Sequence, residues 1–359
     1  MKVVVTQPYV PEYRQPLFAR IAELMRTSGH DFTVLAGRPS AEQAARGDGV
    51  DAPWLTRVHS TTVAPGGVEW TRRALPEAAR GADVLVTELD VKNALAWTRG
   101  IHGARRVVLW GHGMPYVTRR RAVVESAKRR LIARADHVMT YTDGGRAYLV
   151  HDLRCRPDAV TAIGNSTDTA PLVAARDAAA ATGRARELIA EHGGGPHALY
   201  VGGLDSSKGI PFLLDAARAL HGAHPNSVLL VCGDGSERRA VEHAQVSSGA
   251  VRSLGRVDRA RLGELSAASA AIWMPGRVGL VAVDALAVGL PVLTTARHRN
   301  APEAEYLSAE GLRELPPRPA AFAEAAFAIM SDPPARDLLG NAPSLDQVAA
   351  RFVDVVLSA

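Results

Sequence analysis

The apolar residues of this chain come in short runs separated by mixed segments. β-Branched clusters at 2–6, 31–36, 83–87, 106–110, 137–141 and 160–163 predict buried strands. Between them, apolar residues three and four apart predict helices at 16–27, 74–80, 91–99, 120–135 and 145–149. That alternation predicts a parallel, doubly wound sheet, whose ligands bind beyond the carboxyl ends of the strands. An Ala- and Gly-rich passage at 170–197, with one helix and the run Gly193-Gly194-Gly195, reads as an interdomain connection. A second rhythm follows: strand 198–201, helix 211–221, strand 227–232, helix 236–247, strand 251–254 and helix 259–268. The last pattern, 345–357, is an amphipathic helix expected to return to the first domain. The fold class expected is α/β, with Rossmann-like domains at 1–170 and 190–340 and the helix 345–359 packed on the first.

The most informative stretch is 270–296, AAIWMPGRVGLVAVDALAVGLPVLTTA. It reads as a buried strand ending in Pro275, a turn on Gly276 and Gly279, a helix at 280–288, and a strand at 291–295. Gly289 sits where a helix C-cap glycine belongs, and Pro291 enforces the stop. The helix start offers free backbone N–H groups, which attract phosphate. Arg277 and Asp284 lie seven apart, about two turns of α-helix, so they are expected to project from one face. A guanidinium there can clamp a diphosphate, and the carboxylate can accept hydrogen bonds from sugar hydroxyls. The competing reading makes Asp284 a paired acid and Arg277 an exposed loop residue.

Length and composition narrow the class. A chain of 359 residues suggests two domains. With 42 basic and 37 acidic residues the net charge of +5 is too mild to call for nucleic acid. Cys155 and Cys232 form no disulfide framework, so a reducing cytoplasm is expected. The apolar start, residues 3–6, is read as a first strand and not a signal peptide, and no run is long enough to span a membrane. The basic stretch at 119–134, with apolar residues at helical spacing, is either a solvated face or a surface drawn to anionic lipid at the inner face of the membrane or to a phosphorylated acceptor.

The loop motifs carry the chemistry. No GxGxxG follows the first strand, which removes the dinucleotide fingerprint. Gly202-Gly203-Leu204-Asp205-Ser206-Ser207-Lys208-Gly209 approaches a P-loop, but Ser207 and Gly209 stand where it needs Gly and Ser/Thr. A glycine turn with one lysine aimed at a phosphate remains. Gly233-Asp234-Gly235-Ser236 and Gly255-Arg256-Val257-Asp258 are tight turns between strand and helix, and Ser236 can cap the helix after it. Glu88 and Asp90 after a strand suggest a metal pair, but two acids without partners make a poor cation site, and His221 and His224 lack further ligands for zinc.

Taken in order, YVGGLDSSKG, VLLVCGDGSERR, VRSLGRVDRARLGELSAASA and MPGRVGLVAVDALAVGLPVLTT resemble the nucleotide-sugar domain of glycosyltransferase family 4. VTQPYVPEYRQPLF, VVLWGHG, ADHVMTYTDGG and AIGNSTD are similar to that family's acceptor domain. The resemblance implies a GT-B fold, two Rossmann-like domains facing a cleft, and retaining, metal-independent transfer from a nucleotide-sugar donor to a glycan, lipid-linked or small-molecule (secondary-metabolite) acceptor.

By position, the resemblance makes Lys208 the lysine on the donor pyrophosphate, and Gly203 stands where the family has an arginine. Arg277 is the candidate substitute. The family's paired glutamates fall on Gly276 and Asp284, so the first is absent and the ribose-holding acid is one methylene shorter. Gly279, Leu280 and Val281 are expected to offer N–H groups to phosphate, with Val278 in the same turn. Gly233, Arg256 and Val257 are expected around the nucleotide. His112 matches the cleft histidine near the transferred sugar, and Tyr9 and Arg14 are placed on the acceptor side. Asn165 and Asp168 match a junction motif and read as hinge. A nucleotide-sugar epimerase of the same fold and a non-catalytic nucleotide-binding protein are the alternatives.

Overall fold

A computed structural model describes residues 1–38, 50–64, 70–98, 103–116, 122–296 and 299–358. It divides into two units, Met1–Thr167 with Pro343–Ala359, and Asp168–Ala342.

In the first unit the predicted strands form with shifts of a residue or two: β1 (Lys2–Gln7), β2 (Asp31–Ala36), β6 (Val84–Glu88), β7 (Arg106–Gly111), β8 (His137–Thr140) and β9 (Val160–Ala162). An unpredicted edge strand, β3 (Leu55–Arg57), joins them in a seven-stranded parallel sheet of order β3-β2-β1-β6-β7-β8-β9. The order reverses between β1 and β6. A separate antiparallel hairpin, β4 (Ser60–Val63) with β5 (Trp70–Arg73), was equally invisible in the periodicity. Its strands are short and largely open to solvent, so no apolar stripe marks them.

The helices of this unit are α1 (Gln15–Thr27), α2 (Ala94–Trp97), α3 (Ala122–Ile132) and α4 (Asp143–His151). The predicted helix at 74–80 is reduced to a 3-10 turn, Glu77–Ala79, because Pro76 disfavours a helical residue before it. Of the basic stretch, residues 119–121 lie outside the described residues. The core joins β-strand valines to α1 and to a helix from the far end of the chain, α12 (Leu345–Leu357). Ser344 and Gln347 close a capping box at its start. Phe352 is fully buried, with its ring 5.3 Å from Trp110 and 6.4 Å from Phe32.

The second unit begins with the passage that the sequence leaves as a connection. It forms two helices, α5 (Ala170–Thr182) and α6 (Arg184–Glu191). Gly263 lets α5 lie against α9 (Arg259–Ala267), since a Cβ there would come within 2.4 Å of the Leu172 carbonyl. The triple glycine is a tight turn: Gly193 and Gly194 have φ of 119° and 88°, and the Gly195 N–H donates to Asn226 O at 2.9 Å. The sheet is parallel, of order β12-β11-β10-β13-β14-β15, from β10 (His197–Val201), β11 (Leu229–Cys232), β12 (Val251–Gly255), β13 (Ser269–Trp273), β14 (Val292–Thr295) and β15 (Leu312–Leu315). Its helices include α7 (Ile210–Ala223), α8 (Arg238–Ser248), α10 (Val281–Val288) and α11 (Pro319–Ser331). The switch point lies between β10 and β13. No helix among the described residues is long and apolar enough to cross a membrane.

Candidate active site

The loops that leave β10 and β13 flank the second sheet's switch point. After β10 the chain enters a 3-10 turn, Ser206–Lys208, capped by Asp205, whose carboxylate accepts from the N–H of Ser207 at 2.9 Å and its hydroxyl at 2.5 Å. Gly209, with φ of 66°, then turns the chain into α7. Lys208 is thereby carried to the β13 loop, where its Nζ donates to Arg277 O at 3.1 Å and the Arg277 N–H meets Ser207 O at 3.4 Å.

Gly276 makes this approach possible. A Cβ on it would lie 2.5 Å from the Lys208 Cα. The space beside Gly276 is therefore filled by the backbone of the lysine loop. The strands beyond are laced in the same way: the Gly202 N–H donates to Cys232 O at 3.0 Å and the Gly233 N–H to Gly255 O at 2.8 Å. A Cβ on Gly233 would lie 1.9 Å from Gly202 O. Gly203 is exposed, and its carbonyl accepts the Tyr200 hydroxyl at 2.6 Å. Burial pushes that phenol well above its ordinary pKa.

The stretch from Gly276 to Leu280 is a turn, and α10 starts only at Val281. Arg277 and Asp284 therefore do not share a helical face as the seven-residue spacing predicted. The turn is fixed by Thr295 Oγ1 donating to Pro275 O at 2.9 Å and by the Val278 N–H donating to Asn300 Oδ1 at 3.1 Å. Val278 itself is buried. Among the described residues the N–H groups of Gly279, Leu280 and Val281 find no acceptor, and the half-buried Arg277 guanidinium makes no hydrogen bond or ion pair. The predicted helix start is thus present as three open donors, with an ammonium and a guanidinium beside it. The buried Glu303 carboxylate comes within 4.0 Å of the point where a Gly279 Cβ would stand.

Asp284 faces elsewhere. Its two oxygens take the Arg259 fork, Nη1 at 2.9 Å and Nη2 at 2.8 Å, and the same guanidinium donates to Asp168 O at 2.7 and 3.0 Å. The Asp168 carboxylate also accepts the N–H of Ala170, the first residue of α5, at 3.2 Å. Arg256 is exposed and Val257 half-buried just after β12. Asp258, next in sequence, caps α9 by accepting the Arg261 N–H at 2.7 Å. Ser236 does not cap α8: its hydroxyl donates to Leu204 O, and Glu237 holds the cap position.

In the first unit, His112 follows β7 and is exposed, its ring edge-on to Tyr141 at 5.1 Å and Tyr116 at 6.1 Å. Its loop is pinned from behind: a Cβ on Gly145 would lie 2.5 Å from His112 O, and Lys128 Nζ donates to Gly113 O at 2.6 Å. Burial lowers the pKa of that ammonium. Arg14 is buried, donating to the Tyr141 hydroxyl at 2.7 Å with its guanidinium 5.1 Å from the Trp110 ring centroid. Tyr9 is half-buried in the loop after β1, and Asn165 is buried. Asp90 accepts the Lys92 N–H at 2.9 Å, and among the described residues no group of three or more His, Cys, Asp or Glu is placed to hold a metal.

Sequence reasoning passed over Arg259, Asn300, Glu303 and Lys128. Each acts on a partner at least 15 positions away, so no local spacing announces it.

Residues 184–343 match the family model described as Glycosyl transferases group 1, and residues 15–166 match that of the Glycosyl transferase 4-like domain. A glycogen synthase from Mycobacterium tuberculosis is 30% identical over 145 residues, 38% of this chain and 34% of that protein. The chain thus matches about a third of the length of this curated relative. A glycosyltransferase from Rickettsia africae has the same fold, with TM-score 0.66 at 12% identity over 99% of this chain and 98% of its own. HepE from Anabaena, solved in complex with UDP and glucose, aligns over 100% of both chains with TM-score 0.64 at 14% identity. With one family domain on each of its two doubly wound units, the chain belongs to glycosyltransferase family 4.

Proposed function

We propose that the protein transfers a sugar from a nucleoside-diphosphate donor to an acceptor hydroxyl, with retention at the anomeric carbon. The carrying observation is the meeting of Lys208, Arg277 and the three open N–H groups at the start of α10. All are positive or hydrogen-donating, and all stand at a switch point. As the sugar leaves, charge grows on the diphosphate. Fixed donors aimed at that charge supply the electrostatic stabilisation that usually dominates such a step. In this reading the leaving phosphate takes the acceptor's proton on the same face, so no carboxylate nucleophile and no metal enter the scheme.

Arg277 replaces the cation missing at Gly203. Gly233, Arg256 and Val257 border the base and ribose. Asp284 acts on the ribose only indirectly, because its carboxylate already belongs to Arg259.

The absence of an acid at Gly276 favours one other reading, a family member that binds nucleotide without turnover. A thermal-shift screen with UDP-, GDP- and dTDP-sugars, followed by product analysis, tests both. A donor that raises the melting temperature and is consumed only with an acceptor supports transfer. Stabilisation without consumption supports the non-catalytic reading, and no response from any donor sinks the nucleotide site itself.

A further inference from the structure

Glu88 closes β6 beside β1, where the strand order of the first sheet reverses. That is the edge at which doubly wound sheets take ligands. Its carboxylate is held from one side only. Oε2 accepts Arg73 Nη1 at 2.7 Å and Asn93 Nδ2 at 2.8 Å, and the mutually bonded hydroxyls of Thr87 and Thr6 lie 3.1 and 3.3 Å from it, one of them donating to it. Oε1 is buried and has no hydrogen-bond partner among the described residues, and neither has Nε of Arg73.

The ion pair is well enclosed, its side chains 15% and 4% exposed. Arg73 ends β5, whose hairpin is fixed by the Thr71 N–H donating to Lys92 O at 2.8 Å. Three donors on one oxygen and none on the other hold the carboxylate in a single orientation. Native proteins rarely leave both an acceptor and a donor of one buried pair unpaired.

Hydroxyl groups suit an unpaired acceptor and an unpaired donor alike, because each donates one hydrogen bond while accepting another. A phosphate or carboxylate would face the Glu88 charge, and a cation would face Arg73. We propose that Glu88 and Arg73 form a hydroxyl-recognition subsite in the first unit, taking a neutral polyol portion of the acceptor. The proposal rests on the transfer reading above for the identity of its ligand as an acceptor. It converts the acid at 88 from a metal candidate into a specificity residue.

The test is saturation-transfer NMR on the full chain with glycerol, myo-inositol and methyl α-glucopyranoside, each up to about 50 mM, a range that detects millimolar affinity. At least one probe is expected to bind the wild type, and E88Q is expected to weaken it about tenfold or more, as loss of a hydrogen bond to a charged group does. The double variant E88Q/R73Q, which leaves no lone buried charge, is expected to lose the same signal if E88Q does not fold. A wild type that binds none of the probes, or a folded variant that binds them equally well, overturns the subsite. UDP, GDP and dTDP thermal shifts are measured in parallel. Their failure beside an intact, Glu88-dependent polyol signal removes the transfer reading and leaves the subsite standing.

Discussion

Lys208 and Gly276 are packed so closely that a single added carbon on the glycine would stand 2.5 Å from the lysine's Cα and carbonyl carbon. Both belong to backbone that has nowhere to go, because Arg277 is bonded to Ser207 and Lys208 on the far side of the contact. G276A is expected to destabilise the chain by about 1–3 kcal/mol, the range of core overpacking. G276E, with a longer and charged side chain in the same space, should cost more and should also abolish the nucleotide-induced thermal shift. Urea denaturation with and without UDP measures both. A fully stable G276A would mean that the loops are looser than this contact implies.

The two cations separate by their surroundings. Arg277's guanidinium has no protein partner among the described residues, so R277A is expected to leave stability within about 0.5 kcal/mol. Its transfer rate should nonetheless fall, and K208A should lower transfer about 100-fold or more. Single-turnover assays with the donor found in the screen decide this. Unchanged turnover in K208A would take the lysine out of the mechanism.

Asp284 and Arg259 form a bidentate pair that is one-third exposed on the arginine side. Solvent screening there limits its worth, and a double-mutant cycle with D284A and R259A is expected to give a coupling of about 1–2 kcal/mol. Equal and additive losses would show that the pair contributes nothing. D284A should lower stability more than it lowers nucleotide affinity, the reverse of what a direct ribose ligand would show.

How far the sequence could be read is clearest around α10. Gly289 was legible as a C-cap and has φ of 75°, because a stop signal is local in sequence. The relation of Arg277 to Asp284 was misread because spacing fixes a face only inside a helix, and the helix begins after Arg277. Arg259 lies 25 positions before the acid it holds, and Arg73 reaches Glu88 from a hairpin with no apolar period. Strands, turns and caps are written locally. Partners brought together by the sheet are not.

Buried histidines predict a pH response. His197 is fully buried, its Nε2 3.1 Å from Ile189 O, and burial lowers its pKa below the ordinary 6.5, as it does for His192 and His137. The unfolded chain then binds more protons than the folded one below about pH 6.5, so stability is complete above that value and falls as pH drops through it. Melting curves between about pH 7.5 and 5.5 should show the fall, and H197Q should flatten it. A midpoint indifferent to pH across this window would remove these histidines as the cause.

The helix α12 makes the first unit's core discontinuous in sequence. Val348, Phe352 and Val356 fill the interior of the unit that begins at Met1, although more than a third of the chain is synthesised between that unit's strands and this helix. Without this helix the first unit would have an open flank where Trp110 and Phe32 now meet the Phe352 ring. A chain cut before Leu345 would keep every strand of the second unit and expose part of the first unit's core, so that fragment is expected to be the sticky one.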